Sequence, residues 1–211
     1  MSISHHHIAQ TVTPLRLIFW GALICLFDFT FTQKVNGTGW KCDIINDFIG
    51  MLMITGAVYK LGKIPVHDRY RKAMLFVTVM AVLSCLHALH DHFVYRVPSA
   101  LSFCLSIQSA LAMVATVVFC LAMRWLCREA GMERSERSWK ITTGLFTCIY
   151  LIPLGLFYCA VAIAIVTENS FSFQFGPAGL LLLPVFCIPL VHLFLSTSRM
   201  KADAESMTCG D

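Results

Sequence analysis

Four potential metal ligands stand within six residues at His87-Ala88-Leu89-His90-Asp91-His92. On a helix, imidazole and carboxylate groups three and four positions apart project from one side and can reach a single divalent ion. The donor types suit Zn best, with Ni, Cu and Fe also compatible. The spacing is less specific than H-E-x-x-H, and the same residues also read as the wet cap of a helix at an interface. A second group is acidic. Asp43, Asp47 and Gly50 follow an i, i+4, i+7 pattern, which on a helix stacks two carboxylates above a glycine that admits a close neighbour. Together with Asp28, His87 and Gln108, these carboxylates could hold a cation or pass a proton.

The elements that must position these groups are membrane spans. The chain has 211 residues, of which 57% are hydrophobic and 13% charged, with mean hydropathy +0.72. Soluble domains carry roughly 25% charged residues. The deficit excludes a disordered tail, a coiled coil and a nucleic-acid binder. Six apolar runs, at about 17–31, 44–60, 73–92, 101–126, 141–166 and 178–197, meet or approach the length needed to cross ~30 Å of hydrocarbon. Unbroken apolar runs without alternation predict helices, not a barrel. The expected fold is therefore all-α: a polytopic six-helix domain over 15–198, a leader over 1–14 and a tail over 199–211. His5, His6 and His7 belong to that leader.

Charge sets the orientation. Of the 16 Lys and Arg residues, 13 fall at the ends and loops that would face the cytoplasm, leaving Lys34, Lys41 and Arg96 outside. Both termini are then cytoplasmic, the net charge of +4 reflecting insertion and attraction to anionic lipid. The segment 128–140 alternates signs and reads as a solvated helix or turn, flanked by Trp125 and Trp139 as interface anchors. Seven of ten cysteines lie within spans and no C-x-x-C pair occurs, which argues against thiol-redox chemistry. Asn36-Gly37-Thr38 fits a glycosylation acceptor on the outer side.

Counting inward from the basic residue at each cytoplasmic end gives depth. Asp28 is 12 residues from Arg16, Asp47 is 13 from Lys60, His87 is 15 from Lys72 and Gln108 is 16 from Arg124. At helical rise these are about 18, 20, 22 and 24 Å. Four helices thus place a polar side chain in one layer of the outer half of the membrane. Ser84, His87 and Asp91 share a face of the third helix. His192 stands apart in the last helix, as a packing residue. Pro153, Pro184 and Pro189 would kink their helices and free carbonyls to line a cavity.

Asp43-Ile44-Ile45-Asn46-Asp47-Phe48-Ile49-Gly50, followed by Gly56 and Lys60-Leu61, resembles a motif of uncharacterised bacterial multi-pass membrane proteins, F-D-I-x-P-D-x-I-G. Asp28 would match an acidic residue late in their first helix. The resemblance covers about residues 17–61, with Cys42 and Asn46 in place of the motif's Phe and Pro. It implies a membrane fold in a bacterial inner membrane and supplies no reaction.

Three functions fit these residues. One is a proton or metal-cation transporter or channel component using Asp28, Asp43, Asp47, His87 and Gln108. Another is a non-catalytic membrane sensor or complex subunit whose polar layer holds helices together. The third is an intramembrane hydrolase with Zn on His87, His90 and one of Asp28, Asp47 or Asp91, an open coordination position, and a spare carboxylate as base. Besides the bilayer, the expected partner is a second copy or a membrane complex.

Overall fold

The computed structural model describes residues 5–26, 30–35, 38–43, 47–93, 99–167 and 178–208, and side chains for most of these. In chain order the elements are α1 (His5–Leu26), a hairpin of β1 (Thr30–Val35) and β2 (Thr38–Asp43), α2 (Asp47–Gly62), α3 (Asp68–Phe93) and α4 (Ser99–Glu129). There follow α5 (Glu133–Phe146), a π-helical turn over Thr147–Leu151, α6 (Ile152–Val166) and α7 (Ala178–Thr208). Helices satisfy their own backbone groups, the condition for crossing hydrocarbon. Among the described residues, four stretches are long and apolar enough to do so: Ile8–Cys25, Asp68–His90, Cys104–Glu129 and Glu133–Ala164.

Each of the first four helices packs on the next, and α7 lies against both α5 and α1. The helices therefore form a closed ring, α1-α2-α3-α4-α5-α7. The π turn continues α5 into α6, which carries exposed Leu156, Ile163 and Val166 outward. The fully buried side chains gather towards the basic ends: Leu15, Leu61, Tyr70, Met74, Met123, Leu126, Trp139 and Met200.

Turns at this end are closely tied. The Tyr70 hydroxyl donates to the Leu61 carbonyl at 2.8 Å, supplying a partner for one of the carbonyls that the end of α2 leaves open. His67 Nδ1 accepts the Tyr70 N–H at 3.0 Å, capping the start of α3. Gly131, at φ 74°, ends α4 while Met132 N–H reaches back to the Cys127 carbonyl at 2.9 Å. That left-handed glycine stop reverses the chain into α5.

The α1–α2 contact is set by two glycines. A Cβ on Gly50 would lie 2.6 Å from Cys25 Sγ and 2.7 Å from the Gly21 carbonyl; one on Gly21 would lie 2.6 Å from the Gly50 carbonyl. The close approach expected at Gly50 is present, and α1 supplies the matching glycine.

Several expectations need correction. The first helix starts at His5 and ends at Leu26, not 17–31. Residues 5–14 are therefore helical, with Ile8, Thr11, Pro14 and Leu15 buried, instead of a separate leader. Phe31 lies in β1, paired with Cys42. Asp43 closes β2 opposite Thr30 while α2 begins at Asp47, so Asp43, Asp47 and Gly50 do not share a helix face. Among the described residues, the hairpin is the exception to an otherwise helical fold. The segment 128–140 is not merely solvated. Ser135, Ser138 and Trp139 are buried where α5 meets its neighbours, and Trp139 is a core residue at 0% exposure, stacked edge-on to Phe119, not an interface anchor. At the other terminus α7 continues to Thr208, burying Met200 and Ala204.

Gly50→Ala should lower the thermal midpoint in detergent, by an overpacking cost of about 1–3 kcal/mol. Gly56→Ala, where a Cβ meets nothing within 4 Å, should leave it unchanged or raise it. Equal effects of the two substitutions would contradict the α1–α2 contact.

Candidate functional site

His87 and Gln108 come from different helices and do meet. His87 Nδ1 lies 2.7 Å from Gln108 Oε1, and Gln108 Nε2 donates to Ser84 Oγ at 2.9 Å. Ser84 and His87 are three residues apart, so one amide from α4 clips onto one face of α3. Because the Gln108 nitrogen is committed to Ser84, its oxygen faces the imidazole and requires the proton on Nδ1. The basic nitrogen of His87 is then Nε2.

This group lies at one end of a half-open cavity of about 390 Å3 lined by α1, α2, α3 and α4, with Leu193 of α7. From Val77 to His87 along α3 the lining extends about 15 Å at helical rise. Ile18, Met51, Ile54, Met80, Met113 and Phe119 make its walls apolar. Two other hydroxyls line it, but both turn to their own helix: Ser109 to the Leu105 carbonyl at 3.0 Å and Thr116 to the Ala112 carbonyl at 3.0 Å. Ser84, Gln108 and His87 are thus its concentrated polar feature. None of the described lining residues is Asp or Glu.

The remaining expected site residues are placed differently. Asp47 opens α2, half-buried, where the helix dipole favours a carboxylate, and its carbonyl accepts the Cys25 thiol at 3.7 Å. Asp28 and the side chain of Asp43 lie outside the described residues. His90 is half-buried on α3; the backbone of Asp91 and His92 continues that helix, and their side chains are outside the description. Among the described residues, no three His, Cys, Asp or Glu side chains converge as a metal site would require.

A second polar cluster joins α5 to α7. Thr142 Oγ1 lies 2.9 Å from His192 Nδ1 and 2.7 Å from Ser196 Oγ, which is 2.7 Å from Ser138 Oγ. Arg199 Nη1 donates to Ser138 Oγ at 3.2 Å, and Ser135 Oγ donates to Asp203 Oδ2 at 2.5 Å. His192 is thus a packing histidine within a hydroxyl ladder. The ladder was missed because its serines stand in a charged segment. Ser135, Ser138 and Thr142 at i, i+3, i+7, matched by His192, Ser196, Arg199 and Asp203 at i, i+4, i+7, i+11, were the available signal. At the α4–α5 corner, Glu136 Oε1 receives Arg128 Nη2 at 2.7 Å and Arg124 Nε at 3.4 Å.

None of the three prolines is among the described residues lining the cavity. The π turn directly precedes Pro153, and the Tyr150 hydroxyl donates to the Phe186 carbonyl between Pro184 and Pro189.

A double-mutant cycle of Ser84→Ala and Gln108→Leu should give a coupling energy of about 0.6 kcal/mol, and at most ~1.7, the range for interhelical hydrogen bonds in lipid. Additive effects would contradict the bond. The chain matches no protein-family model and is similar to no curated protein or solved structure at a significant level. The site's own chemistry therefore has to carry the functional reading.

Proposed function

We propose that this chain is a six-span membrane protein, both termini cytoplasmic, that binds a single-chain lipophilic molecule bearing a hydroxyl or carbonyl end group. This makes it a sensor or carrier and not a catalyst. The observation that carries the reading is the cavity: apolar along about 15 Å, with Ser84, Gln108 and His87 concentrated at one end. Binding sites for small molecules are commonly about 300–1,000 Å3, largely apolar, with a few polar groups fixing orientation. In such a site the hydrocarbon chain would lie along Met80, Met113 and Ile54. Its end group would exchange hydrogen bonds with the Gln108 amide and His87 Nε2.

Six spans follow if α2 and α7 also cross. α2 has 16 residues, about 24 Å of helix, and packs between two long apolar helices. The run 178–197 of α7 remains apolar apart from His192, Ser196 and Thr197. Exposed Leu75, Leu86, Leu156, Ile163 and Val191 suit a lipid surround, and the bacterial inner membrane is the expected location.

A proton or cation pathway through His87 is the second reading, favoured by the tautomer that Gln108 imposes. The apolar lining favours the first, since a cation passing such walls would lose its hydration without gaining carboxylates. A Zn hydrolase on His87, His90 and one of Asp28, Asp47 or Asp91 draws no support from convergent ligands among the described residues.

Organic extraction of protein purified in mild detergent, followed by mass spectrometry, should recover one lipophilic species at near-stoichiometric amount. Ala112→Phe, which fills the cavity, should remove it while preserving the helical circular-dichroism spectrum, and Gln108→Leu should lower its occupancy about ten-fold, as expected when a hydrogen-bonding partner worth ~1.4 kcal/mol is lost. No such species in wild type, together with His87-dependent proton flux in liposomes, would favour the second reading.

A further inference from the structure

Arg16, midway along α1, and Lys201, just past the apolar run of α7, line a second, half-open cavity of about 410 Å3 together with Thr197, Ser198, Phe19 and Trp20. We propose that this crevice binds the phosphate of an anionic phospholipid from the cytoplasmic leaflet. The site is distinct from the cavity at His87 and rests on the membrane-spanning reading of α7, whose apolar run 178–197 ends just before Lys201, the residue that shares Glu205 with Arg16.

The charge balance fits a phosphodiester. Glu205 Oε1 lies 3.7 Å from Arg16 Nη2 and 3.7 Å from Lys201 Nζ. Two cations therefore share one carboxylate, leaving one positive charge for one phosphodiester anion. Both ion pairs are long, and their side chains are substantially exposed, so they are weak and open to rearrangement. Ser198, exposed on α7, offers a hydroxyl donor beside them.

The apolar wall argues for a lipid over a soluble anion. Phe19 stands edge-on to Trp20 at 5.5 Å and to Phe194 of α7 at 5.1 Å. Trp20 lies four residues from Arg16, about 6 Å further along the helix, and is 55% exposed. Indole rings favour the headgroup level of a membrane. A phosphate held by Arg16 and Lys201 would then lead its glycerol and first methylenes onto Trp20 and Phe19. Free phosphate would gain nothing from those rings. Basic pockets between spans on the cytoplasmic side are the general form of such sites.

Native mass spectrometry of the full chain, delipidated and mixed with equal dioleoyl-phosphatidylglycerol and dioleoyl-phosphatidylcholine, tests the proposal. Phosphatidylglycerol should be retained preferentially, and Arg16→Gln and Lys201→Gln should each cut that preference about five-fold. Arg71→Gln, at an exposed residue paired with Asp68, should leave it unchanged. Glu205→Gln should raise retention, because both cations lose their competitor; a merely structural role for the cluster would not reverse the sign. Saturating inorganic phosphate should not displace the lipid. Equal retention of the two lipids would overturn the proposal, as would full displacement by phosphate, which would assign the crevice to a soluble anion. If an Arg16 variant fails to fold, the opposed signs of Lys201→Gln and Glu205→Gln still decide the matter.

Discussion

A polar side chain within hydrocarbon has no water to turn to, so its partners must come from another helix or its own backbone. That constraint organises this chain. Gln108 spends both ends of its amide on α3, at Ser84 and His87. Thr142, Ser138 and Ser196 spend their hydroxyls between α5 and α7. Where no polar group bridges, glycine does: the Gly21 and Gly50 backbones meet without a Cβ between them. Burial of apolar surface cannot favour one helix pairing over another when the solvent is itself apolar, so these local contacts fix the ring.

The ring is packed unevenly. Towards the basic ends, Trp139, Met123, Leu126, Tyr70 and Met200 fill the space completely. Further along, Ala22, Ala81, Ala112 and Ala115 line the cavity, small residues that leave about 390 Å3 open. The dense end gives the molecule its rigidity, and the open part gives it a place for a ligand. The Gln108 clip lies at the boundary, fixing the His87 ring where an incoming end group would meet it.

Much of this was legible in the chain. Counting residues inward from Lys72 and Arg124 put His87 and Gln108 at one depth, and they are in contact. Gly50 announced a close helix approach. Asp43 misled because its spacing to Asp47 and Gly50 assumed helix where the chain pairs as β2. Alternation in Thr30–Val35, followed by Asn36-Gly37, is a hairpin signal, but the aromatic residues before it resembled the end of a span. Trp139 looked like an anchor because it sits among charges; only the contact with Phe119 reveals that its face points inward. The hydroxyl ladder was hidden for a related reason. A serine on a charged helix reads as solvated until the partner helix is known, and α7 arrives from more than fifty residues away.

The claim that matters most is that the cavity beside His87 receives a lipophilic molecule. Crystals grown from a lipid mesophase would test it directly through difference density between α1 and α4. The account predicts one elongated feature along Met80 and Met113, ending within hydrogen-bond distance of Gln108 or His87. A file of ordered waters running from His87 through the cavity would contradict it and identify a proton path instead.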